Sequence, residues 1–67
     1  MNVTVNSEPR TVEESTTVAA LLEQLGLTDY HGIAVELDGK FVERGAYAST
    51  LLAPHSHIEI VRFVGGG

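Results

Sequence analysis

Few residues of this chain combine a reactive type with a spacing that chemistry could use. Its 67 residues include no cysteine, so thiolate catalysis, disulfides and cysteine-ligated zinc are excluded. His55 and His57 stand two residues apart in APHSH, but zinc needs three or four ligands and no third one is near in the sequence. We therefore expect these histidines, like His31, to be solvated loop residues, and we predict no metal site.

Hydroxyl and carboxyl groups gather where a helix is predicted to begin. Capping is the ordinary role of hydroxyls at such a position, and no motif places a base beside Ser15, Thr16 or Thr17, as a nucleophile would require. Glu13 and Glu14 favour the positive end of the same helix, which makes a catalytic carboxylate pair the weaker interpretation. The sequence predicts no catalytic residue, so we expect a protein on which enzymes act rather than an enzyme.

The segment IEIVRFVGGG places three glycines, Gly65, Gly66 and Gly67, directly after a strand-like run. Glycine has no Cβ, so such a tail can enter narrow channels, and three residues extend at most about 10–11 Å. A terminal carboxylate has a reference pKa of roughly 3.3–3.7, and in its ionised form it is a poor electrophile. It becomes an acyl donor once ATP adenylates it, so the predicted reactive group is the Gly67 carboxylate. The alternative is an idle tail.

Length and charge restrict the remaining functions. A chain this short is one domain with a thin core, and it can hardly enclose the clefts of about 300–1,000 Å³ that bind small molecules. Nine acidic residues against four basic ones give a formal charge of −5, which argues against nucleic acid and anionic membranes as partners. The sequence has no apolar run of about 18 residues and no signal-peptide pattern, so we expect a cytoplasmic protein whose partner has a basic face.

The first half of the chain predicts a hairpin and a helix. MNVTVN alternates as a half-buried strand, NSEP has turn chemistry, and RTVE, residues 10–13, can return as a second strand. STTVAALLEQLGL is amphipathic, and Thr17 is predicted to cap the start of the helix. Gly26 is predicted to take the left-handed position beyond its end, with Leu27 against Leu22. The apolar stripe of this helix consists of Val18, Leu21, Leu22 and Leu25.

The second half predicts another hairpin, a crossover and a last strand. GIAVELDGKFVE alternates around Asp38-Gly39, a strong two-residue turn signal. RGAYASTLL has no clean period and predicts a short helical turn or an irregular crossover, and IEIVRFV predicts the last strand. One main helix on a small mixed sheet predicts an α+β roll of the β-grasp type over residues 1–64, with residues 65–67 as a flexible tail.

The last strand has apolar residues on both faces. Ile58 and Ile60 are predicted to face the helix, so Val61 and Phe63 point to the opposite face, which a single-helix domain leaves uncovered. Because they precede the glycines, we predict that Val61 and Phe63 dock a partner and offset the entropy lost when the tail is ordered. Scattered surface hydrophobics are the alternative.

The chain resembles the sulfur-carrier proteins of bacterial thiamine thiazole biosynthesis over essentially all of its 67 residues. IEIVRFVGGG is similar to the closing strand and tail of that family, TTVAALLEQLGL is similar to its helix, and the length matches. Where the family usually has an acidic, glycine-containing turn before the last strand, this chain has APHSH. The resemblance implies the ubiquitin-like β-grasp fold, in agreement with the pattern of elements.

The resemblance also implies a chemistry for the tail. An adenylating enzyme related to ubiquitin-activating enzymes would use ATP to activate the Gly67 carboxylate. Sulfur from a cysteine desulfurase would convert the activated group to a thiocarboxylate, and thiazole synthase would accept that sulfur. Gly65 and Gly66 would thread the partner sites, and the carrier itself would bind no cofactor.

Three other functions stay open on the residues alone. The small subunit of molybdopterin synthase has a similar fold and also ends in two glycines, although those chains tend to be longer and the body of this chain does not match them. A ubiquitin-like modifier would have only Lys40 for chain building. A plain interaction module with an idle tail would keep its function after removal of Gly66 and Gly67.

Overall fold

In the computed structural model, which describes residues 1–63, five strands form a sheet that packs against a helix. The strand order is β2-β1-β5-β3-β4, with β1 and β5 parallel and the other neighbours antiparallel. This confirms the predicted α+β roll of the β-grasp type, while the predicted boundary after residue 64 and the tail lie outside the described residues. The elements are β1 (Asn2–Val5), β2 (Glu8–Thr11), α1 (Val18–Gln24), β3 (Ile33–Leu37), β4 (Lys40–Val42), a 3-10 turn (Arg44–Ala46) and β5 (His57–Arg62).

The first hairpin is tighter than predicted. Asn6 and Ser7 have φ angles of 50° and 70°, so the turn contains two residues, and β2 begins at Glu8 rather than at Arg10. The prediction of a longer NSEP turn was wrong because a type I′ turn needs two residues with positive φ, and Asn with Ser meets that need here.

Pro9 consequently lies inside an edge strand. A two-residue turn makes Val5 and Glu8 a hydrogen-bonded pair, so the next pair, Thr4 with Pro9, is a non-hydrogen-bonded one. The proline nitrogen therefore points away from β1, and its missing N–H removes no bond from the ladder.

The residues that were predicted to start and to terminate the helix do so. Thr17 Oγ1 accepts a hydrogen bond from the Ala20 N–H at 3.1 Å. Gly26 has a φ of 78°, and its N–H donates to the Glu23 carbonyl at 2.9 Å. The Leu27 N–H donates to the Leu22 carbonyl at 2.8 Å, which completes a Schellman motif.

The helix stripe and the inner side of the sheet share a core. Leu25, the last member of the predicted stripe, is half-buried at its edge. The buried apolar side chains are Val3, Val5, Val12, Val18, Leu21, Leu22, Val35, Tyr47, Leu52 and Ile58.

The second hairpin turns at Asp38 and Gly39, which have φ angles of 50° and 86° as its type I′ turn requires. Within residues 1–63 no helix is long and apolar enough to cross a membrane.

The backbone conformation of Gly26 gives a test of the fold. We expect Gly26→Ala to lower the free energy of unfolding by about 1 kcal/mol, because an L-residue is strained at positive φ although nothing lies within 4 Å of the new Cβ. Gly45→Ala is the matched control, since its Cβ also meets open space and its φ is not in that region. Urea unfolding measures both changes. Equal effects of the two substitutions would contradict the assigned helix ending.

Candidate functional site

The strand β5 leads into the glycine tail and lies in the middle of the sheet. On one side, β3 pairs with five successive residues of β5, Ile58–Arg62. On the other side, β1 pairs only with His57 and Ile58. On the β1 side, the part of β5 after Ile58 therefore depends on contacts other than those of a neighbouring strand.

The side chain of Asn6 continues the pairing where β1 ends. The Asn6 N–H donates to the Ile58 carbonyl at 2.8 Å, and Asn6 Oδ1 accepts from the Ile60 N–H at 2.7 Å. Its Nδ2 donates to the Ile60 carbonyl at 3.4 Å. The amide thus imitates one further strand residue, a role that the sequence did not reveal. On the opposite edge, the Phe63 N–H donates to the Gly32 carbonyl at 2.7 Å.

The side chains of β5 alternate between the two faces of the sheet as predicted. Ile58 is 1% exposed and Ile60 is half-buried on the helix side. Val61 and Phe63 are 41% and 64% exposed, so their predicted exposure is confirmed. The docking of a partner on them stays a prediction, and Gly65, Gly66 and Gly67 lie outside the described residues.

Phe41 shares this outer face and was missed by the sequence analysis. It is 72% exposed, and it pairs with Glu36 of β3, which in turn pairs with Glu59 of β5. The signal was present, because the Asp38-Gly39 turn sets the register of β3 against β4. Phe41 is two strand spacings from β5, roughly 10 Å. We call Phe41, Val61 and Phe63 the outer patch.

Two carboxylates lie beside the outer patch. Glu36 and Glu59 are directly opposite each other on β3 and β5, an arrangement in which like charges destabilise the sheet. Within residues 1–63 neither forms a salt bridge. The outer face therefore combines exposed apolar groups with negative charge, which suits the basic partner face that the composition predicted.

The loop beside Phe63 is braced by a local pair of side chains. The His31 N–H donates to Asp29 Oδ1 at 3.0 Å, and the ring Nδ1 is 2.8 Å from the same oxygen. These bonds, first the one from the backbone N–H, hold the pKa of the Asp29 carboxyl below its ordinary value. Both side chains are exposed, so the pair shapes the loop before Gly32 rather than a buried site.

One histidine of the His55 and His57 pair lies in a strand and not in the predicted loop. His57 is the first residue of β5 instead of a loop residue, and its ring Nδ1 lies 2.9 Å from Thr4 Oγ1. His55 is exposed in the preceding loop, as expected, with a φ of 67°. In the part of the chain that the structure describes, no three His, Asp or Glu side chains are grouped closely enough to hold a metal.

Comparisons with known proteins assign the chain to a family. The sequence model of the ThiS family matches residues 3–67. The thiazole synthases of Magnetococcus marinus and Paramagnetospirillum magneticum are each 39% identical over all 67 residues, and the chain spans only about a fifth (20%) of their length. These two relatives are therefore much longer proteins than the chain described here.

Solved structures agree with the family model. The crystal structure of the thiamine biosynthesis protein ThiS from Geobacter metallireducens is 39% identical, covers both chains fully and has a TM-score of 0.85. The solution NMR structure of a thiamine biosynthesis protein from the same organism has a TM-score of 0.79, with all of this chain and 88% of that chain covered. Sequence and fold thus lead to one conclusion: the chain belongs to the ThiS family.

Proposed function

We propose that this protein is a sulfur carrier that bears sulfur as a thiocarboxylate on Gly67 and delivers it for thiazole formation in thiamine biosynthesis. Membership of the ThiS family and the likeness to a thiamine biosynthesis protein support this proposal. They also favour it over a carrier like the small subunit of molybdopterin synthase. The structural observation that supports it most is the hydrogen bonding of β5 on both edges. The bonds extend to Ile60 on the β1 side and to Phe63 on the β3 side, so the strand is held in place up to the outer patch.

The proposed chemistry takes place at one carbonyl carbon. A Gly67 carboxylate oxygen attacks the α-phosphorus of ATP, pyrophosphate leaves, and an acyl-adenylate forms. The terminal sulfur of the persulfide that a cysteine desulfurase forms then attacks the carbonyl carbon and displaces AMP, which gives an acyl disulfide. A thiol reductant cleaves the S–S bond of this acyl disulfide, which leaves the thiocarboxylate and a disulfide. ATP is thus a substrate of the activating enzyme and not a cofactor of the carrier. The chain contributes no thiol, in keeping with its lack of cysteine.

Partner enzymes supply the catalysis in this proposal, and the carrier is their co-substrate. An adenylating enzyme activates the tail, and thiazole synthase accepts the sulfur. The matched relatives named thiazole synthase support the second link, because a segment similar to this chain forms part of those longer proteins. Gly65 and Gly66 have no Cβ and can pass through the narrow channel that leads to each active site.

The outer patch gives such a partner a surface to bind. Phe63 directly precedes the last strand-like residue of the sequence and the glycines, so a contact there fixes where the tail starts. Glu36 and Glu59 add negative charge next to it, which favours a partner with exposed lysines or arginines. Exposed aromatic anchors are the side chains that contribute most to such interfaces.

The glycine tail gives a direct test of the carrier function. Incubation with ATP, the activating enzyme and a sulfur source should raise the mass of the protein by the exchange of one oxygen atom for sulfur, and fragmentation should place the change on Gly67. A variant extended by one alanine after Gly67 should fold equally well and should not deliver sulfur to thiazole synthase. Sulfur delivery by the extended variant would refute the proposal, as would an unchanged wild-type mass with competent enzymes.

A substitution in the outer patch tests whether a partner binds there. Phe63→Ala should weaken binding to the activating enzyme by about 2 kcal/mol, roughly thirty-fold in Kd, because an exposed aromatic anchor is lost. Leu51→Ala is the matched control, since Leu51 is 61% exposed but lies outside the sheet strands. Titration calorimetry measures the affinities and thermal unfolding checks the fold. Equal affinities of the two variants would contradict docking on the outer patch.

A substitution at Glu59 separates an effect on folding from an effect on binding. Glu59→Gln should raise the free energy of unfolding by roughly 0.2–1 kcal/mol, because the repulsion with Glu36 is removed from a directly opposite pair. The same substitution should weaken binding to the activating enzyme, and the loss should shrink as the salt concentration rises. A variant that is more stable and binds as well as the wild type would show that the partner does not use this charge.

A further inference from the structure

A second surface lies on the helix side of the sheet, between the end of α1, the first hairpin and β5. It is a groove of about 540 Å³. Val5, Leu25, Leu27 and Ile60 give it apolar walls, so a side chain that entered it would be removed from water. Pro9 also lines it, and its polar lining consists of Asn6, Glu8, Arg10 and Arg62.

The groove has a positive rim in an otherwise acidic protein. Arg10 and Arg62 are two of the four basic residues in a chain whose formal charge is −5. Among residues 1–63 no carboxylate lies within salt-bridge distance of either arginine, not even that of Glu8, which also lines the groove. The charge of this groove is therefore opposite to that of the outer face beside Glu36 and Glu59.

The groove also reaches one open position on the edge of β5, at Arg62. The backbone groups of Ser56, Ile58 and Ile60 point toward β1, where they bond to Thr4 and to Asn6. Arg62 is next in this alternation, so its N–H and C=O point the same way, beyond the end of β1. Within residues 1–63 no hydrogen bond reaches them on that side. An unpaired strand edge of this kind can accept a further strand.

We propose that this groove binds an extended, acidic segment of a partner protein, which adds as a short strand beside Arg62. One apolar side chain of that segment enters the groove against Leu25, Leu27 and Ile60, and carboxylates along the segment meet Arg10 and Arg62. Charge selects this occupant, because a carboxylate is the group that an unpaired guanidinium recognises best. The inference rests on the proposed carrier function, since it places this contact on an enzyme that handles the tail.

A charge reversal with a matched control tests the groove. Arg10→Glu and Lys40→Glu each replace one positive charge with a negative one, and the two residues lie on opposite edge strands, β2 and β4. We expect Arg10→Glu to raise the Kd for the adenylating enzyme or for thiazole synthase about ten-fold or more, and Lys40→Glu to change it less than about three-fold. Calorimetric titration of each purified enzyme gives the Kd values.

Two further measurements make the outcome decisive. Thermal unfolding checks that Arg10→Glu folds, and Arg10→Gln replaces it if it does not. Hydrogen exchange should show the Arg62 amide protected in the wild-type complex and less protected in the complex of the Arg10 variant, as strand addition requires. Equal Kd values for the Arg10 and Lys40 variants, an unprotected Arg62 amide, or a wild-type dimer that Arg10→Glu dissolves would each overturn the proposal, the last in favour of a second copy as occupant.

The groove and the carrier function fail in different ways. If the wild-type protein never gains sulfur, the carrier function fails irrespective of any Kd. If the wild type is charged with sulfur and the Arg10 variant binds both enzymes as the Lys40 variant does, the groove fails and the carrier function stands.

Discussion

The hydrogen bonding of β5 on both edges is the constraint on which the rest of this structure depends. β5 is the strand that precedes Val64 and the three glycines in the sequence, and under the proposed function a tail that reaches a partner's active site needs a fixed origin. β3 holds one edge, and the loop carbonyl of Gly32 extends that support to Phe63. β1 is too short to hold the other edge, so the amide of Asn6 bonds to Ile60 in its place. The packing of Ile58 in the core beneath α1 then holds the strand perpendicular to the plane of the sheet.

A central strand has a second consequence, because its side chains alternate between two separate surfaces. The odd-numbered residues give the outer face Val61, Phe63 and the acidic Glu59. The even-numbered residues give the helix side Ile60 and Arg62. One strand therefore presents negative charge on one face and positive charge on the other, immediately before the tail. A chain of only 67 residues can in this way bind a basic partner on one face and an acidic partner on the other.

Local signals in the sequence were enough to predict most of the fold. The Thr17 cap, the left-handed Gly26 and the Asp38-Gly39 turn each act within a few residues, and all three are in the structure. The outward face of Val61 and Phe63 followed from the period of a strand. The bond from Asn6 to Ile60 joins residues 54 positions apart, and the groove needs both Arg10 and Arg62 in its lining. No local pattern encodes such pairs, because they depend on the parallel pairing of β1 with β5.

Under the proposed function, the entropy lost when the tail is ordered explains why so small a domain should need two surfaces. Fixing a residue costs about 1–2 kcal/mol, so ordering three glycines in a partner's channel costs roughly 3–6 kcal/mol before any chemistry begins. A single exposed aromatic anchor contributes about 2 kcal/mol, which does not offset that loss. A partner that also uses the groove on the helix side gains a second anchor, a charge pair and strand hydrogen bonds. Contacts on both faces of β5 can therefore hold the tail in place, whereas contacts on one face leave it largely free.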